Sequence, residues 1–282
     1  MRAAQTRPYD RSQMTMFQPI RNLLKARSAR PRPATPAGER FYVVGDIHGC
    51  DALFAALVDA IEADDVRQPS ARTTIVLLGD LVDRGPDSAG VIARARALQQ
   101  RRTVRILAGN HEEMLLEAFD KPDVLRHFVK YGGRETILSY GLPRKEYNAL
   151  TIEELFARLP QIVPQDDRDF IASFEDLIVA GDYAFVHAGV DPTLPIDQQS
   201  RRDMLWIRQR FLRHEGPYSH VVVHGHTIFD RVEDCGMRIG VDTGAYESGR
   251  LTALVLEGDT RRTITAVDID GELTIEQEEL PT

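Results

Sequence analysis

Cysteines and long apolar runs are the features that this sequence has least of. Only two of its 282 residues are cysteines, Cys50 and Cys235, and they lie too far apart for a metal-binding or redox motif. This scarcity excludes a disulfide framework and favours a reducing cytoplasm over secretion. No apolar run approaches the roughly 18 residues that span a bilayer, and no stretch resembles a secretory signal peptide. We therefore expect a cytoplasmic protein without a membrane span.

Acidic residues outnumber basic ones in most of the chain, whereas basic residues prevail at its start. Residues 1–39 carry eight lysines and arginines against two acidic residues, whereas the whole chain has a net charge of −8. We expect residues 1–39 to be a basic, disordered leader, with a short amphipathic helix around Phe17–Leu24 as the alternative for one part of it. Residues 40–270 form the expected folded domain, and residues 271–282 an acidic C-terminal tail. The acidic body argues against nucleic acid as the main partner, because phosphate backbones bind basic surfaces.

Three strand-loop-helix units follow the leader, and each places polar residues directly after a buried strand. Because parallel strands present their carboxyl ends at one edge of a sheet, this pattern predicts an α/β fold with a shared site at that edge. The three strands and the polar residues that follow them are Phe41–Val44 with Asp46 and His48, Thr73–Leu78 with Asp80, Asp83 and Arg84, and Thr103–Leu107 with Asn110 and His111.

The second half of the chain changes from helices back to strands. Residues 121–174 have helical patterns and little strand signal, so we expect a helical insertion that either shapes access to the site or covers one face of the domain. A hairpin follows, and its second strand leads into His187. A helix over Asp203–Leu212 then precedes a strand, Val221–Val223, that leads into His226. The remaining predicted strands are Arg238–Val241, Leu251–Leu256 and Thr263–Ile269.

The polar residues at the strand ends have the chemistry of a metal site. Carboxylate, amide and imidazole donors suit two divalent ions such as Mn, with Fe and Zn as alternatives, and the lack of thiolates argues against a structural zinc site. We expect Asp80 to bridge the ions at about 3.5–4 Å, so that a hydroxide between them attacks a phosphorus atom in line. The first ion would be held by Asp46, His48 and Asp80, and the second by Asp80, Asn110, His187 and His226.

Two further roles remain for charged residues near these ligands. We expect His111 to donate a proton to a leaving alkoxide, and Asp83 to orient its imidazole. Arg84 is the first candidate for gripping phosphoryl oxygens, because a planar guanidinium binds two of them at once. Arg208 is the second candidate, and nearby Arg210 is the alternative to it.

Five motifs of the chain resemble, in order and spacing, those of the phosphoprotein phosphatases, the metallophosphatases of the PPP type. The match runs from Phe41 to about Glu257 and is closer to the bacterial and lambda-phage branch than to the eukaryotic one. The resemblance implies an α/β calcineurin-like sandwich of two central mixed β-sheets flanked by helices, and metal-dependent hydrolysis of phosphate monoesters. It also implies the metal ligands, proton donor and first arginine named above. The motifs read GDIHG, GDLVDRG, GNHE, HAG and GHT.

The resemblance leaves two classes of substrate open. We expect a serine/threonine protein phosphatase that acts on a phosphorylated protein or peptide. The alternative is a dinucleoside polyphosphate hydrolase, because the symmetrical diadenosine tetraphosphate hydrolases resemble this chain almost as well. Those enzymes typically have an aspartate where Glu112 stands here and lack the aspartate found here as Asp83, so both positions favour the phosphatase.

A third reading, less favoured, is a phosphoprotein-binding module that has lost turnover. Such decay usually removes a ligand or the proton donor, and all of them are present in this sequence.

The chain also has Asp242-Thr243-Gly244-Ala245 in place of a loop of the eukaryotic enzymes. We therefore do not expect it to recognise their regulatory subunits, and the sequence leaves its oligomeric state open.

Overall fold

Two β-sheets pack face to face at the centre of the domain. The computed structural model describes residues 32–280. Its first sheet has the spatial order β11-β10-β9-β1-β2-β3 and its second the order β4-β5-β6-β8-β7. In chain order the strands are β1 (Glu39–Val44), β2 (Arg72–Leu77), β3 (Val104–Ile106), β4 (Leu177–Ala180), β5 (Tyr183–Val186), β6 (Val221–His224), β7 (Glu233–Asp234), β8 (Arg238–Gly240), β9 (Arg250–Glu257), β10 (Thr260–Ile269) and β11 (Glu272–Glu279).

Both sheets combine parallel and antiparallel pairs. β2 pairs in parallel with β1 and β3, and β6 pairs in parallel with β5 and β8. The strands β9, β10 and β11 extend the first sheet in antiparallel fashion, while β4 and β7 do the same at the two edges of the second. The predicted α/β sandwich of two mixed sheets is confirmed.

Alternation along β1 divides the core into two layers. Phe41 and Val43 face the second sheet, where they pack in one cluster with Phe185 of β5. Tyr42 and Val44 point the other way, into a cluster that the helices cover. Successive side chains of a strand alternate between its faces, so a strand buried on both faces is a continuous apolar run. This is why the sequence Phe41–Val44 has no polar position.

Helices cover the outer face of the first sheet and flank the second. The segment expected as an insertion at residues 121–174 adds buried side chains to the same cluster as the first helices, so it covers one face of the domain. The helices are α1 (Asp51–Arg67), α2 (Ser88–Gln99), α3 (Asn110–Glu117), α4 (Pro122–Phe128), α5 (Arg134–Ser139), α6 (Arg144–Tyr147), α7 (Ile152–Ile162), α8 (Gln165–Ala172), α9 (Arg201–Trp206), α10 (Gln209–Leu212) and α11 (Ala245–Ser248), with a π turn at Val129–Gly133 and a 3₁₀ turn at Ile196–Gln198.

The ends of the domain differ from the boundaries expected from the sequence. Residues 33–38, expected in the disordered leader, lie against the sheets, where the Thr35 amide donates to the Gly258 carbonyl at 2.9 Å. The first 31 residues, with the alternative amphipathic helix, lie outside the described residues. The expected acidic tail contains β11, whose eight residues are all exposed. β11 is held by backbone pairing with β10, and its many glutamates, which are depleted in strands, conceal it in the sequence.

The helix expected over Asp203–Leu212 is two short helices in the structure. The chain leaves α9 after Trp206 and starts α10 at Gln209, and Arg208 between them has φ −133° and ψ −103°, outside the helical region. No glycine or proline marks this break in the sequence, which is why the pattern predicted one helix. Among the described residues, no helix is long and apolar enough to cross a bilayer.

A buried carboxylate, that of Asp64 in α1, joins three elements of the first layer. Asp64 is 2% exposed. It accepts a hydrogen bond from the Tyr42 hydroxyl of β1 at 2.6 Å, and two from the Arg262 guanidinium of β10 at 2.6 and 3.0 Å. Removing the carboxylate would leave a buried hydroxyl and a partly buried guanidinium without their acceptor.

We therefore expect Asp64→Ala to lower the free energy of unfolding by about 3–5 kcal/mol, the cost of breaking a buried pair. Urea unfolding followed by circular dichroism measures the change. Asp59→Ala, at an exposed position of the same helix, is the control and should stay within about 0.5 kcal/mol of the wild type. An Asp64→Ala effect as small as that of the control would contradict a structural role for this ion pair.

Candidate metal centre and active site

The predicted site residues lie at the carboxyl ends of parallel strands from both sheets. The strands β1, β2 and β3 of the first sheet end at one edge, and β5 and β6 of the second end beside them. Each of the six predicted metal ligands is at most 7% exposed. They are Asp46 and His48 after β1, Asp80 after β2, Asn110 after β3, His187 after β5 and His226 after β6.

Asp80 lies at the centre of this group. One of its carboxylate oxygens is 3.5 Å from His48 Nε2, and the other is 3.5 Å from His187 Nε2 and accepts from the His111 backbone amide at 3.0 Å. Possible ligand atoms of Asp80, His187 and His226 all lie within 4.8 Å of one another, and so do those of His48, Asp80 and His111. Asp80 belongs to both groups, as a bridging ligand would.

The histidines turn Nε2 toward this carboxylate, and the Arg84 guanidinium also lies against His48 Nε2 and Asn110 Oδ1 against His187 Nε2. His48 Nδ1 is 2.9 Å from the Val82 carbonyl and His187 Nδ1 is 2.8 Å from the Leu78 carbonyl. A carbonyl only accepts, so Nδ1 carries the proton in both rings and Nε2 is left as an acceptor. His226 Nε2 is buried and has no hydrogen-bond partner within the described residues. Lone pairs that converge on a carboxylate fit a divalent cation, so the residues present suit the expected metal ions.

Burial keeps these imidazoles in the neutral form that binds metals. It lowers the pKa of His48 to about 3, and burial together with His187 lowers the pKa of His226 to about 2. Burial alone raises the pKa of Asp80, but the surrounding histidines outweigh it and hold that pKa well below its ordinary value. Asp80 is therefore charged at pH 7, whereas His48 and His226 are neutral.

Asp46 occupies a different position from the other ligands of its expected ion. Its two carboxylate oxygens accept from the His226 backbone amide at 3.2 and 3.0 Å, which joins the tips of β1 and β6. Burial and the nearby charges of Asp242 and Asp80 raise the pKa of Asp46 well above its ordinary value. His111, rather than Asp46, completes the close group with His48 and Asp80. The geometry thus leaves two candidates for the third ligand of that ion.

His111 and Asp83 form a close pair beside the metal group. The Asp83 carboxylate accepts from His111 Nδ1 at 2.6 Å, and Asp83 is completely buried. Burial lowers the pKa of His111, but the charges of Asp80 and Asp83 outweigh it and raise that pKa above its ordinary value. This arrangement suits the expected proton donor and its orienting carboxylate.

Arg84 spans the two histidines of the first group. Its guanidinium lies 3.0 Å from His48 Nε2 and 3.1 Å from His111 Nε2. The guanidinium also stacks over the ring of Tyr246, 4.7 Å from its centroid. Sequence reasoning did not predict Tyr246, which is 37% exposed at the rim of the site.

The sequence left two candidates, Arg208 and Arg210, for the second arginine that contacts a phosphoryl group. The positive charge of Arg208 adds to the effect of burial in lowering the pKa of His187 and of His226, so Arg208 is close enough to these histidines to affect them. Arg210 instead pairs with Asp203 at 2.8 Å and Asp191 at 3.1 Å. Arg208 is therefore the better candidate for contacting a phosphoryl group.

The backbone is strained at the strand tips, and the buried side chain of Glu112 holds the tip that carries Asp80. Of the six non-glycine residues with positive φ in the described part of the chain, five are predicted site residues. Glu112 accepts from the amides of Asp80 at 2.8 Å, Leu81 at 2.7 Å, Val82 at 3.2 Å and Gly109 at 2.8 Å. Four donors to one carboxylate fix the loop that carries Asp80. The five residues are His48, Asp80, Asp83, Arg84 and His226.

Comparison with known proteins now identifies the family. The family described as calcineurin-like phosphoesterase matches residues 39–250. The chain belongs to the calcineurin-like phosphoesterase family. The predicted resemblance to metallophosphatases is thereby confirmed, and the groups around Asp80 are candidate ligands for the divalent ions that the family implies.

Relatives of this metallophosphoesterase carry names from both expected substrate classes. Serine/threonine-protein phosphatase 1 of Salmonella typhimurium is 31% identical over 219 residues, which cover 75% of this chain and 89% of that protein. The asymmetrical bis(5'-nucleosyl)-tetraphosphatase PrpE of Geobacillus thermodenitrificans is 28% identical over 239 residues, covering 75% and 88%. A solved cold-active protein-tyrosine phosphatase of Shewanella has the same fold, with a TM-score of 0.51 and 19% identity over 87% of this chain and 83% of that one.

Some residues of the metallophosphoesterase site carried little or no sequence signal. Glu112 stands three positions after Gly109, the usual position for a glutamate that caps the start of a helix. Asp242 accepts from the Gly244 amide of its own loop at 2.8 Å and adjoins Asp46. Thr136 lies on α5, far from every motif, yet its hydroxyl contacts Asp83 at 2.6 Å. Only the fold brings that residue to the site.

Metal content tests the division between ligands and proton donor. Asp80→Asn removes the shared charge, so we expect it to weaken metal binding more than about 100-fold, beyond the effect of changing an outer partner. His111→Asn should keep the metal content of the wild type, since Asp46 is the expected third ligand. Elemental analysis of protein dialysed against Mn measures the metal bound by both variants. Asp59→Asn is the control. A loss of one ion in His111→Asn would make His111 a ligand instead.

Proposed function

We propose that this metallophosphoesterase is a serine/threonine protein phosphatase that hydrolyses phosphoserine and phosphothreonine in phosphorylated proteins or peptides. We further propose Mn as the metal, because the donor atoms are oxygen and imidazole nitrogen, and a cytoplasmic location, because the chain has only two cysteines. Fe and Zn are the alternatives for the metal.

Two ions at the site would each have their own set of ligands, with Asp80 common to both. Asp46, His48 and Asp80 would hold one, and Asp80, Asn110, His187 and His226 the other. Divalent ions at such a site supply an activated water molecule and neutralise charge on the phosphoryl oxygens. The protein fixes the donor atoms in advance, since their strained backbone and buried hydrogen bonds leave them little freedom.

Arg84 would bind and orient the phosphoryl group. Its guanidinium lies between His48 and His111, within hydrogen-bond distance of both rings. Stacking against Tyr246 restricts its side chain, so the fork is pre-organised for two phosphoryl oxygens. Arg208 would contribute a second positive charge from the side of His187 and His226.

The observation that carries this proposal is the bond between His111 and Asp83. A serine or threonine leaves as an alkoxide, which needs a proton from a general acid. Cleavage of a dinucleoside polyphosphate instead releases a phosphate whose pKa is about 6, so it departs without one. A completely buried carboxylate 2.6 Å from His111 Nδ1 keeps the imidazole oriented and favours its protonated form. An acid of this kind supports monoester hydrolysis more than anhydride cleavage.

A dinucleoside polyphosphate hydrolase is the second candidate. It is favoured by the names of relatives, since the tetraphosphatase from Geobacillus thermodenitrificans covers this chain as fully as the protein phosphatase does. Its leaving group would make little use of the buried pair of His111 and Asp83, which is why we place it second.

The Mn-loaded protein separates these candidates in one assay. We expect a higher kcat/KM for a phosphoserine peptide than for diadenosine tetraphosphate. We expect His111→Asn to reduce peptide hydrolysis by about 10²–10⁴-fold, the usual contribution of a general acid, and to affect the dinucleotide much less. Faster cleavage of the dinucleotide by the wild type would overturn the proposal, and no turnover of either substrate would favour a binding module.

A further inference from the structure

The helical segment after α4 contacts two neighbouring residues, Asp83 and Arg84, in the loop that follows β2. The carbonyl of Gly132, in the π turn, accepts from the Arg84 amide at 3.1 Å. Gly132 has φ +117°, and a Cβ there would lie 2.7 Å from Arg84 Cγ, so this approach needs glycine. One turn further on, the Thr136 hydroxyl of α5 contacts Asp83. Both residues that it touches belong to the machinery proposed above.

The hydroxyl of Thr136 uses all of its hydrogen-bonding capacity. It donates to Asp83 Oδ1 at 2.6 Å and accepts from the Asp83 amide at 2.8 Å. Its oxygen is also 2.9 Å from the Ser88 hydroxyl. Thr136 has one proton, and the carboxylate receives it, so Ser88 must be the donor in the last contact. All three residues are completely buried, which keeps water from replacing any of these bonds.

The two oxygens of the Asp83 carboxylate therefore have one donor each. Thr136 bonds to Oδ1, and His111 Nδ1 lies 2.6 Å from Oδ2. Two donors on opposite oxygens fix the plane of the carboxylate, and through it the direction of the imidazole. Asp83 itself has φ +74°, an unfavourable conformation that these bonds help to hold.

We propose that Thr136 is a positioning residue, which acts through Asp83 to hold His111 in line with the departing oxygen of the substrate. This inference rests on the role of His111 as proton donor in the proposed function. A series of hydrogen bonds through Ser88, Thr136, Asp83 and His111 connects α2 and α5 to the reacting group. The helical segment thus supplies part of the acid machinery, in addition to covering a face of the domain.

The neighbouring hydroxyl makes this role separable from folding. The Asp83 amide also donates to Ser88 at 3.0 Å, so it stays satisfied when the Thr136 hydroxyl is removed. Asp83 Oδ1 has no such substitute among its side-chain hydrogen bonds in the described part of the chain. Thr136→Val keeps the shape of the side chain and removes the bond to Asp83 Oδ1, together with the acceptor of the Ser88 hydroxyl.

The test compares two substrates of the metal-loaded protein that differ in their need for a proton. The leaving group of p-nitrophenyl phosphate departs readily as a phenolate, whereas O-phosphoserine loses an alkoxide. We expect Thr136→Val to lower kcat for O-phosphoserine by about 10–100-fold, as loss of an orienting partner does, and kcat for p-nitrophenyl phosphate far less. Thr136→Ser, which restores the hydroxyl, should recover most of the difference.

Two further variants make the outcome decisive. Thr265→Val removes another buried hydroxyl, which bonds to Thr252 at 3.0 Å, and should leave the ratio of the two rates unchanged. In a His111→Asn background, Thr136→Val should change either rate by less than about twofold, because its effect passes through the missing imidazole. Equal losses for both substrates, or a full additional loss in that background, would overturn the inference.

The result is also distinguishable from failure of the proposed function. Both test compounds are simple monoesters, so the comparison does not depend on which substrate the protein uses in the cell. If diadenosine tetraphosphate proves the better substrate while Thr136→Val still affects O-phosphoserine selectively, the phosphatase proposal fails and the role of Thr136 stands.

Discussion

The buried charge of Asp80 is the constraint on which the rest of the site depends. An ionised carboxylate that is 2% exposed is costly unless partners surround it. Here those partners come from both sheets, with His48 on one side and His187 on the other, each 3.5 Å away. Apolar packing holds the two sheets together. At this edge their relative position must also provide partners for the Asp80 carboxylate. The fold and the metal chemistry therefore have the same centre.

The strained loops around Asp80 explain why so many buried hydrogen bonds converge there. Left-handed backbone costs about 1–3 kcal/mol for each non-glycine residue in sparsely populated regions. Glu112 offsets part of that cost by accepting four amides from the two strand tips that it joins. Burial and the charge of Asp80 raise the pKa of Glu112 to about 7, so its ionised form depends on those four donors. A rigid site is thus maintained by polar contacts that an apolar core could not supply.

Features of the fold that depend on local sequence were predictable, and those that depend on distant contacts were not. Apolar runs ending in Gly-Asp or Gly-Asn located Asp46, Asp80 and Asn110 at the strand tips, because each signal lies within a few residues. β11 escaped prediction because its pairing with β10 is made by the backbone and leaves no apolar pattern.

The same physical reason applies to the details of the site. The break at Arg208 and the contact of Thr136 with Asp83 are both set by tertiary packing, which no local pattern encodes. The closeness of His111 to His48 and Asp80 is likewise a property of three loops together. Residue types and their order predicted which side chains gather, whereas the geometry decides which of them touch.

The bond between Asp46 and the amide of His226 joins residues 180 positions apart in the chain. Contacts over such separations form late, since the chain between them must first be ordered. A nascent chain that has completed only its first three strands holds Asp46, Asp80 and Asn110, but not the histidines of the second sheet. Partly synthesised protein thus lacks the complete site, which can assemble only after β6, the strand before His226, has been made and has joined the second sheet.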